Sequence, residues 1–229
     1  VSKKWRISKS GISTPRRISN AMIEVIPSIN VKTFEEVKER IRLIEPHVLW
    51  CHLDVTDGVF SSHETWRNPE DLLNFKINLN IEIHLMVSNP DEVIDDWLVP
   101  PVKRVIIHTE VIKDFDRISE KARDRGIEVG IAVNPETPVE AFSPYVGKAD
   151  TFLCLAVKPG PSNQVMHGNT MGKITFFRKA CKHVKIEVDG GMNLETAQEA
   201  VKAGANLLIS GDYIFSHNSI KEAIRSLLP

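Results

Sequence analysis

Three short stretches carry imidazole and carboxylate groups at a spacing that suits a shared site. CHLDVTDG (51–58) holds His52 and Asp54, IEIHLM (81–86) holds His84, and KIEVDGG (185–191) holds Asp189. Side chains on a strand alternate faces. His52, Asp54 and Thr56 therefore share one face, Glu82, His84 and Met86 another, and Glu187 and Asp189 a third, each opposite an apolar face. Burying a charge is costly unless it is paired or bound to metal. A hydrogen-bonded polar pair at a strand end would satisfy His52 and Asp54 alone. If the three polar faces converge, His52, Asp54, His84 and Asp189 form a two-imidazole, two-carboxylate set. Such a set suits a divalent transition metal, with zinc the default and iron, manganese or cobalt as alternatives.

The elements that must position these residues follow from the alternation of patterns along the chain. Strands are predicted at 23–28, 48–55, 80–87, 103–110, 127–133, 150–157, 185–189 and 205–211. Helices are predicted at 33–45, 69–75, 89–98, 114–125, 170–182, 194–204 and 219–228, with a turn and short helix after residue 134. Thr33 and Glu36 form a capping-box pattern, Pro69 and Pro90 sit at first-turn positions, and Gly126 and Gly204 mark helix ends. Strands separated by helices imply parallel pairing. Eight such units in 229 residues fit a single TIM (β/α)8 barrel over 23–229, a fold of roughly 200–250 residues. In that fold, active sites lie at the C-terminal strand ends. Ser28, His52, Asp54, His84, Met86, Asp189, Gly190 and Gly211 all fall at those ends.

Bulk properties narrow the class. Formal net charge is -1 and hydrophobic residues make up 42%, an ordinary globular composition. No apolar run is long enough to span a bilayer, and no secretory leader pattern is present. The three cysteines, Cys51, Cys154 and Cys181, stand far apart and suggest neither a disulfide framework nor a thiolate zinc site. A cytoplasmic location is the simplest expectation. Residues 1–22 carry Lys3, Lys4, Arg6, Lys9, Arg16 and Arg17 and no acid, which reads as a flexible basic tail. An anionic docking segment or an organelle-targeting peptide is the sharper alternative. Nucleic-acid binding is not expected, since the tail has no aromatic interleaving beyond Trp5.

With these elements in order, the chain resembles the ribulose-phosphate 3-epimerase family from about Ile23 to the C-terminus. The landmarks are PSI (27–29), HLDVTDG (52–58), HLM (84–86), IHTE (107–110), NPETP (134–138), KPGPSNQ (158–164), EVDGG (187–191) and SGDYIF (210–215). The resemblance implies a metal-dependent isomerase of the pentose phosphate pathway that interconverts ribulose 5-phosphate and xylulose 5-phosphate. It implies that His52, Asp54, His84 and Asp189 bind the metal and that Asp54 and Asp189 are the acid and base. By the same resemblance Ser28, His84 and Met86 face the substrate, and small residues at the ends of strands 6, 7 and 8, here Gly160, Gly190, Gly191 and Gly211 with Asp212, hold its phosphate. A homo-oligomer is expected, with a sugar or sugar phosphate as the small-molecule partner and no membrane. Two proton-transfer groups, one on each side of a carbon, are what inversion beside a carbonyl requires. A metal between them would stabilise the enediolate.

The chain departs from the family at the substrate-anchoring end. The loop usually written NPGFGGQ is KPGPSNQ, so Lys158 replaces Asn, and Pro161, Ser162 and Asn163 replace Phe and two glycines. The family's Gly-Ser after strand 8 is Gly211-Asp212, and Thr56 and Leu155 stand where methionines commonly line the cavity. Lost glycines weaken a backbone phosphate cradle, and a carboxylate beside a phosphate repels it. Three expectations stay open: drift within an ordinary epimerase, a changed sugar substrate with or without phosphate, and a non-catalytic barrel that binds a partner.

Overall fold

The computed structural model describes residues 23–229; the basic segment 1–22, with the tail expectations placed on it, lies outside the described residues. Eight strands alternate with helices: β1 Glu24–Ile29, β2 Trp50–Thr56, β3 Asn80–Met86, β4 Val102–His108, β5 Glu128–Val133, β6 Thr151–Leu155, β7 Lys185–Asp189 and β8 Leu207–Ser210. Neighbours in sequence are neighbours in the sheet, every pair is parallel, and β8 returns to β1 to close the barrel. The helices are α1 Phe34–Ile44, α2 Glu70–Leu73, α3 Pro90–Trp97, α4 Phe115–Asp124, α5 Thr170–Ala180, α6 Leu194–Ala203, α7 Asp212–Phe215 and α8 Ile220–Ser226.

Strand alternation sorts the side chains into two compartments. Cys51, Leu53, Val55, Ile83 and Ile107 join the layer between sheet and helices, where they meet helix residues such as Ile41 and Phe177. Each apolar side chain fully buried there is worth about 1.5–3 kcal/mol. The other set lies inside the barrel, where Ile106, Ala132, Leu153 and Leu155 form one small cluster and Ile26, Leu207 and Ile209 another. His52, Asp54, His84 and Asp189 belong to this inner set. Register then decides their height: Asp54 stands opposite His84 across the β2–β3 ladder, and Ser28 stands opposite His52 across β1–β2.

Local chemistry explains the helix limits. Thr33 and Glu36 close the expected capping box on α1, a device worth about 1 kcal/mol. Gly204 ends α6 with φ 117, a left-handed conformation that glycine adopts without a Cβ penalty. Some expected limits shift. Pro69 is the cap of α2 rather than its first turn, and Asn89 makes no side-chain cap bond although Pro90 does begin α3. After β5, Pro138 and an internal Pro144 restrict the chain to a 3-10 helix, Val139–Tyr145, because proline removes donors an α-helix needs. The short α7 inserts between β8 and α8 and was not foreseen. Among the described residues no helix is long and apolar enough to cross a membrane.

Candidate active site

The C-terminal ends of β2, β3 and β7 bring the expected ligands together. His52, Asp54, His84 and Asp189 each offer one ligand atom, and these atoms all lie within 4.8 Å of one another. Asp54 Oδ1 is 3.2 Å from His84 Nδ1 and 3.3 Å from His52 Nε2, while Asp189 Oδ2 is 3.6 Å from His84 Nδ1 and 3.9 Å from His52 Nε2. The two imidazoles are sealed at 0% exposure, whereas the two carboxylates keep 8%. The carboxylates are thus the edge of the cluster that meets solvent space.

Outer contacts fix which imidazole atoms face the cluster. His52 Nδ1 donates to Glu82 Oε1 at 2.5 Å, and a carboxylate can only accept. Its Nε2 is left buried and without a hydrogen-bond partner. His84 Nε2 meets His108 Nε2 at 2.9 Å, and His108 Nδ1 meets Glu110 Oε2 at 3.2 Å. Burial, more than any other influence, pushes His108 down to about 4, so at neutral pH it gives its one proton to Glu110 and accepts from His84. His84 Nδ1 is then the atom directed at the aspartates. Fixing of ring orientation by outer carboxylates is typical of metal-binding histidines.

An ionic layer underlies this arrangement. Arg104 on β4 donates to Glu82, to Glu187 Oε1 at 2.7 Å and to Glu128 Oε2 at 2.8 Å. Burial favours the neutral form of Glu82, yet Arg104 and His52 outweigh it and hold the carboxyl at about 2. His52, Glu82 and Glu187 also have ligand atoms close together, but the Arg104 guanidinium already occupies both carboxylates there. The four-residue cluster above has no arginine or lysine within it. An orphaned buried imidazole nitrogen, two imidazoles and two carboxylates fit a divalent metal.

Charge in the metal-free chain is uneven. Burial raises Asp54, but the adjacent His52 and His84 outweigh it and hold the carboxyl well below the usual range. Burial and then the Asp54 charge push Asp189 up to about 6. His52 is lowered by burial and raised more by Asp54 and Glu82, for a net rise. A metal would have to displace that proton, so loading should release protons and strengthen with pH.

A cavity of about 720 Å³ adjoins the carboxylates, a size that suits a small ligand. Ser28, Asp54, Met86 and Asp189 line it beside the cluster, and Gly160, Gly190, Gly191, Gly211 and Asp212 also line it. His84 was also expected to face the substrate; it lies sealed beneath the floor and does not line the cavity. Leu155 lines it, but Thr56 does not. In the altered loop, Asn163 adopts φ 61 where the family has glycine, a conformation that asparagine tolerates. Gln164 Nε2 then pins the loop by donating to the carbonyls of Lys158 and Pro161 at 2.8 and 2.7 Å. Gly191 has no substitute, since a Cβ there would come within 2.5 Å of Met166 N.

Several site residues escaped the sequence reading. Arg104 and His108 share a face of β4 by the same two-residue alternation that exposed His52 and Asp54, so their position was recoverable but their role was not. Arg40 of α1 also lines the cavity, with its guanidinium 4.3 Å from the Phe215 ring centre; no spacing signal marks it. Asn30 lines the cavity next to Asp54.

A closed (β/α)8 barrel with buried acids and imidazoles at its C-terminal strand ends describes a TIM-barrel enzyme. Comparison with known proteins then narrows the class. The ribulose-phosphate 3 epimerase family matches residues 24–215, and the chain belongs to this family. Curated proteins named ribulose-phosphate 3-epimerase include one from Treponema pallidum, 33% identical with 88% of this chain and 93% of that one covered. Another, from Schizosaccharomyces pombe, is 30% identical with 89% and 92% covered. Among solved structures, the 3-hexulose-6-phosphate synthase of Salmonella typhimurium superposes with a TM-score of 0.61 over 90% of this chain and 96% of that one. Its 11% identity makes that a likeness of fold alone.

Proposed function

We propose that the chain is an isomerase that inverts the carbon beside the ketone of a pentulose 5-phosphate, interconverting ribulose 5-phosphate and xylulose 5-phosphate or a related ketose phosphate. One observation carries the reading: two buried carboxylates, from β2 and β7, edge the floor of one substrate-sized cavity. One carboxylate takes the proton from the substrate carbon, and the electron pair left behind spreads onto the carbonyl oxygen. The other delivers a proton to the opposite face. Geometry supports this division, since the two carboxylates come from β2 and β7, on different sides of the barrel. The bound diastereomer decides which acts as base in each direction.

His52, Asp54, His84 and Asp189 would hold a divalent metal, zinc by donor type, with iron, manganese or cobalt also compatible. Bound there, the metal would supply electrostatic stabilisation of charge developing on the substrate oxygens. Glu82 and His108 keep the two imidazoles oriented beneath the carboxylates.

The test is deuterium wash-in from solvent at the carbon beside the ketone, scanned over ketopentose and ketohexose phosphates and their free sugars. Exchange into ribulose 5-phosphate, lost on metal removal and restored by zinc, is the expected result. Exchange in none of these sugars by metal-replete protein would refute the reading. A second reading, a sugar other than ribulose 5-phosphate, is favoured by one observation: Asp212 lines the cavity end where the family has serine. Preferential exchange into another sugar would select it.

A further inference from the structure

One side chain outside the cluster joins the parts that the reaction needs together. Asn30 follows β1 directly. Its Nδ2 donates to Asp54 Oδ2 at 3.3 Å and to the Gly160 carbonyl at 3.0 Å, and its Oδ1 meets His63 Nε2 at 2.9 Å. Both amide hydrogens and the acceptor are thus used, which sets the amide orientation and requires the proton on Nε2 of His63. His63 lies in the β2–α2 loop, which closes on itself through Gly58 N to His63 O at 3.1 Å. Gly160, in the β6–α5 loop, packs on the same segment: a Cβ there would lie 3.2 Å from Ser61 Oγ and from His63 Cβ. Asn30 therefore spans the β2–α2 loop, the β6–α5 loop and the carboxylate of Asp54.

The division of labour on Asp54 is specific. Oδ1 is the atom within reach of both imidazoles. Oδ2 is the atom that Asn30 holds. A carboxylate oxygen has room for a second partner beside one hydrogen bond, so Oδ2 can keep Asn30 while it exchanges a proton with the substrate carbon. A neutral amide orients the carboxylate while adding no further charge to the His52 and His84 pair that already faces Oδ1.

Resting on the reading of Asp54 as one of the two proton-transfer groups, we propose that Asn30 is a positioning residue that aims Oδ2 of Asp54 and latches the β6–α5 loop over it. Alignment of the base and closure of the loop are then one event. When the proton leaves the substrate carbon for Oδ2, the pair of electrons remains on the carbon–carbonyl frame, and Asn30 stays bound throughout.

The experiment uses the zinc-loaded full chain with ribulose 5-phosphate as probe. In Asn30→Leu, kcat should fall by about 10²-fold, the cost of a misaligned catalytic group, with KM changed far less and metal content unchanged. Amide hydrogen exchange over 158–164 should speed up by roughly tenfold, the loss of about one hydrogen bond. His63→Ala frees the Asn30 amide without touching Asp54 or Gly160. It should move kcat and loop exchange in the same directions by smaller factors, and it keeps the test open if Asn30→Leu fails to fold. Unchanged kcat with either folded variant overturns the aiming role, and unchanged loop exchange overturns the latch. If the wild type epimerises no sugar, the functional reading and the aiming role fall together, while loop exchange in the two variants still decides the latch.

Discussion

The floor and the far end of the cavity are built by different means. The floor is strand-borne: His52, Asp54, His84 and Asp189 stand on β2, β3 and β7, and each imidazole is braced by a buried partner that is itself braced. The far end is borne by the β6–α5 loop and the start of α7: Lys158, Pro161, Ser162, Asn163 and Asp212 are exposed and make few side-chain bonds. A strand residue is fixed by a ladder on both sides, so changing one floor residue disturbs its whole network. A loop residue can be exchanged as long as the backbone keeps its path, as Asn163 does at φ 61. On the proposed reading, the chemistry of this chain is held where change is expensive, and substrate anchoring where change is cheap.

The sharpest way to break that contrast is at the floor. Asp54→Asn and Asp189→Asn should each lower epimerisation by about 10²–10⁴-fold, the usual scale of a positioned acid or base. A variant that still exchanges the substrate proton but does not invert has lost one face only. Near-normal turnover by either would end the two-carboxylate mechanism.

The next largest effect tests whether the floor is a network. His84→Ala should remove a metal donor and abolish stoichiometric zinc with the fold intact. His108→Phe touches no proposed ligand atom, yet it should weaken zinc by about 10–100-fold, because it releases His84 Nε2. Competition against a chelator measures both. Zinc affinity should also rise with pH, since His52 must give up a proton on loading. Unaltered affinity in His108→Phe would reduce the floor to four independent ligands.

The contrast also explains what could be read in advance. Two-residue alternation, with an apolar face opposite each polar one, made the eight strands and the four cluster residues legible. It did not reveal that Arg104 donates to Glu82 and to one oxygen of Glu187 inside the barrel, because alternation places a side chain on a face without naming its partner. Nor did it place His84 beneath the cavity, since height within a barrel depends on register between strands. Asn30 lies just past β1, where no period exists, and the period of α1 puts Arg40 on a face without naming the cavity it reaches. The left-handed conformation of Asn163 in the β6–α5 loop was equally illegible, because φ there is a property of the folded loop.

At the far end the expected effects are smaller. Asp212 lines the cavity, and if a phosphate binds beside it, repulsion in a partly enclosed site exceeds that in bulk water. Arg40 and Lys158 line the same end and offset part of it. Asp212→Ser should raise kcat/KM for ribulose 5-phosphate by about tenfold, equivalent to about 1.4 kcal/mol. Repulsion felt equally before and during reaction should appear in KM. A neutral or harmful substitution would mean that the aspartate turns from the substrate, and it would make both ends of the cavity conservative.

The smallest effect concerns a fixed point among the loops. Asp57, just past β2, accepts from the backbone N–H groups of Val59 and Phe60 on one oxygen and from Ser88 N and Oγ on the other, at 2.7–2.9 Å. It ties the β2–α2 loop to the exit of β3. Burial raises its carboxyl, but the backbone donors outweigh burial and hold it below the usual value. The folded pKa is therefore below the unfolded one, so the unfolded chain binds more protons in the acid range and stability rises with pH there. The contribution is complete above the unfolded value of about 4 and is lost as pH falls through the folded value. Asp57→Asn replaces one acceptor oxygen by a donor and should cost about 1–2 kcal/mol, at the low end because the group is partly exposed. Denaturant melts should show a constant gap between wild type and variant from about pH 5 to 8, closing as the solution is acidified, with kcat changed little. A gap that widened toward acid would reverse the sign assigned to Asp57. A large loss of kcat would show that the rim is as tightly coupled to the chemistry as the floor.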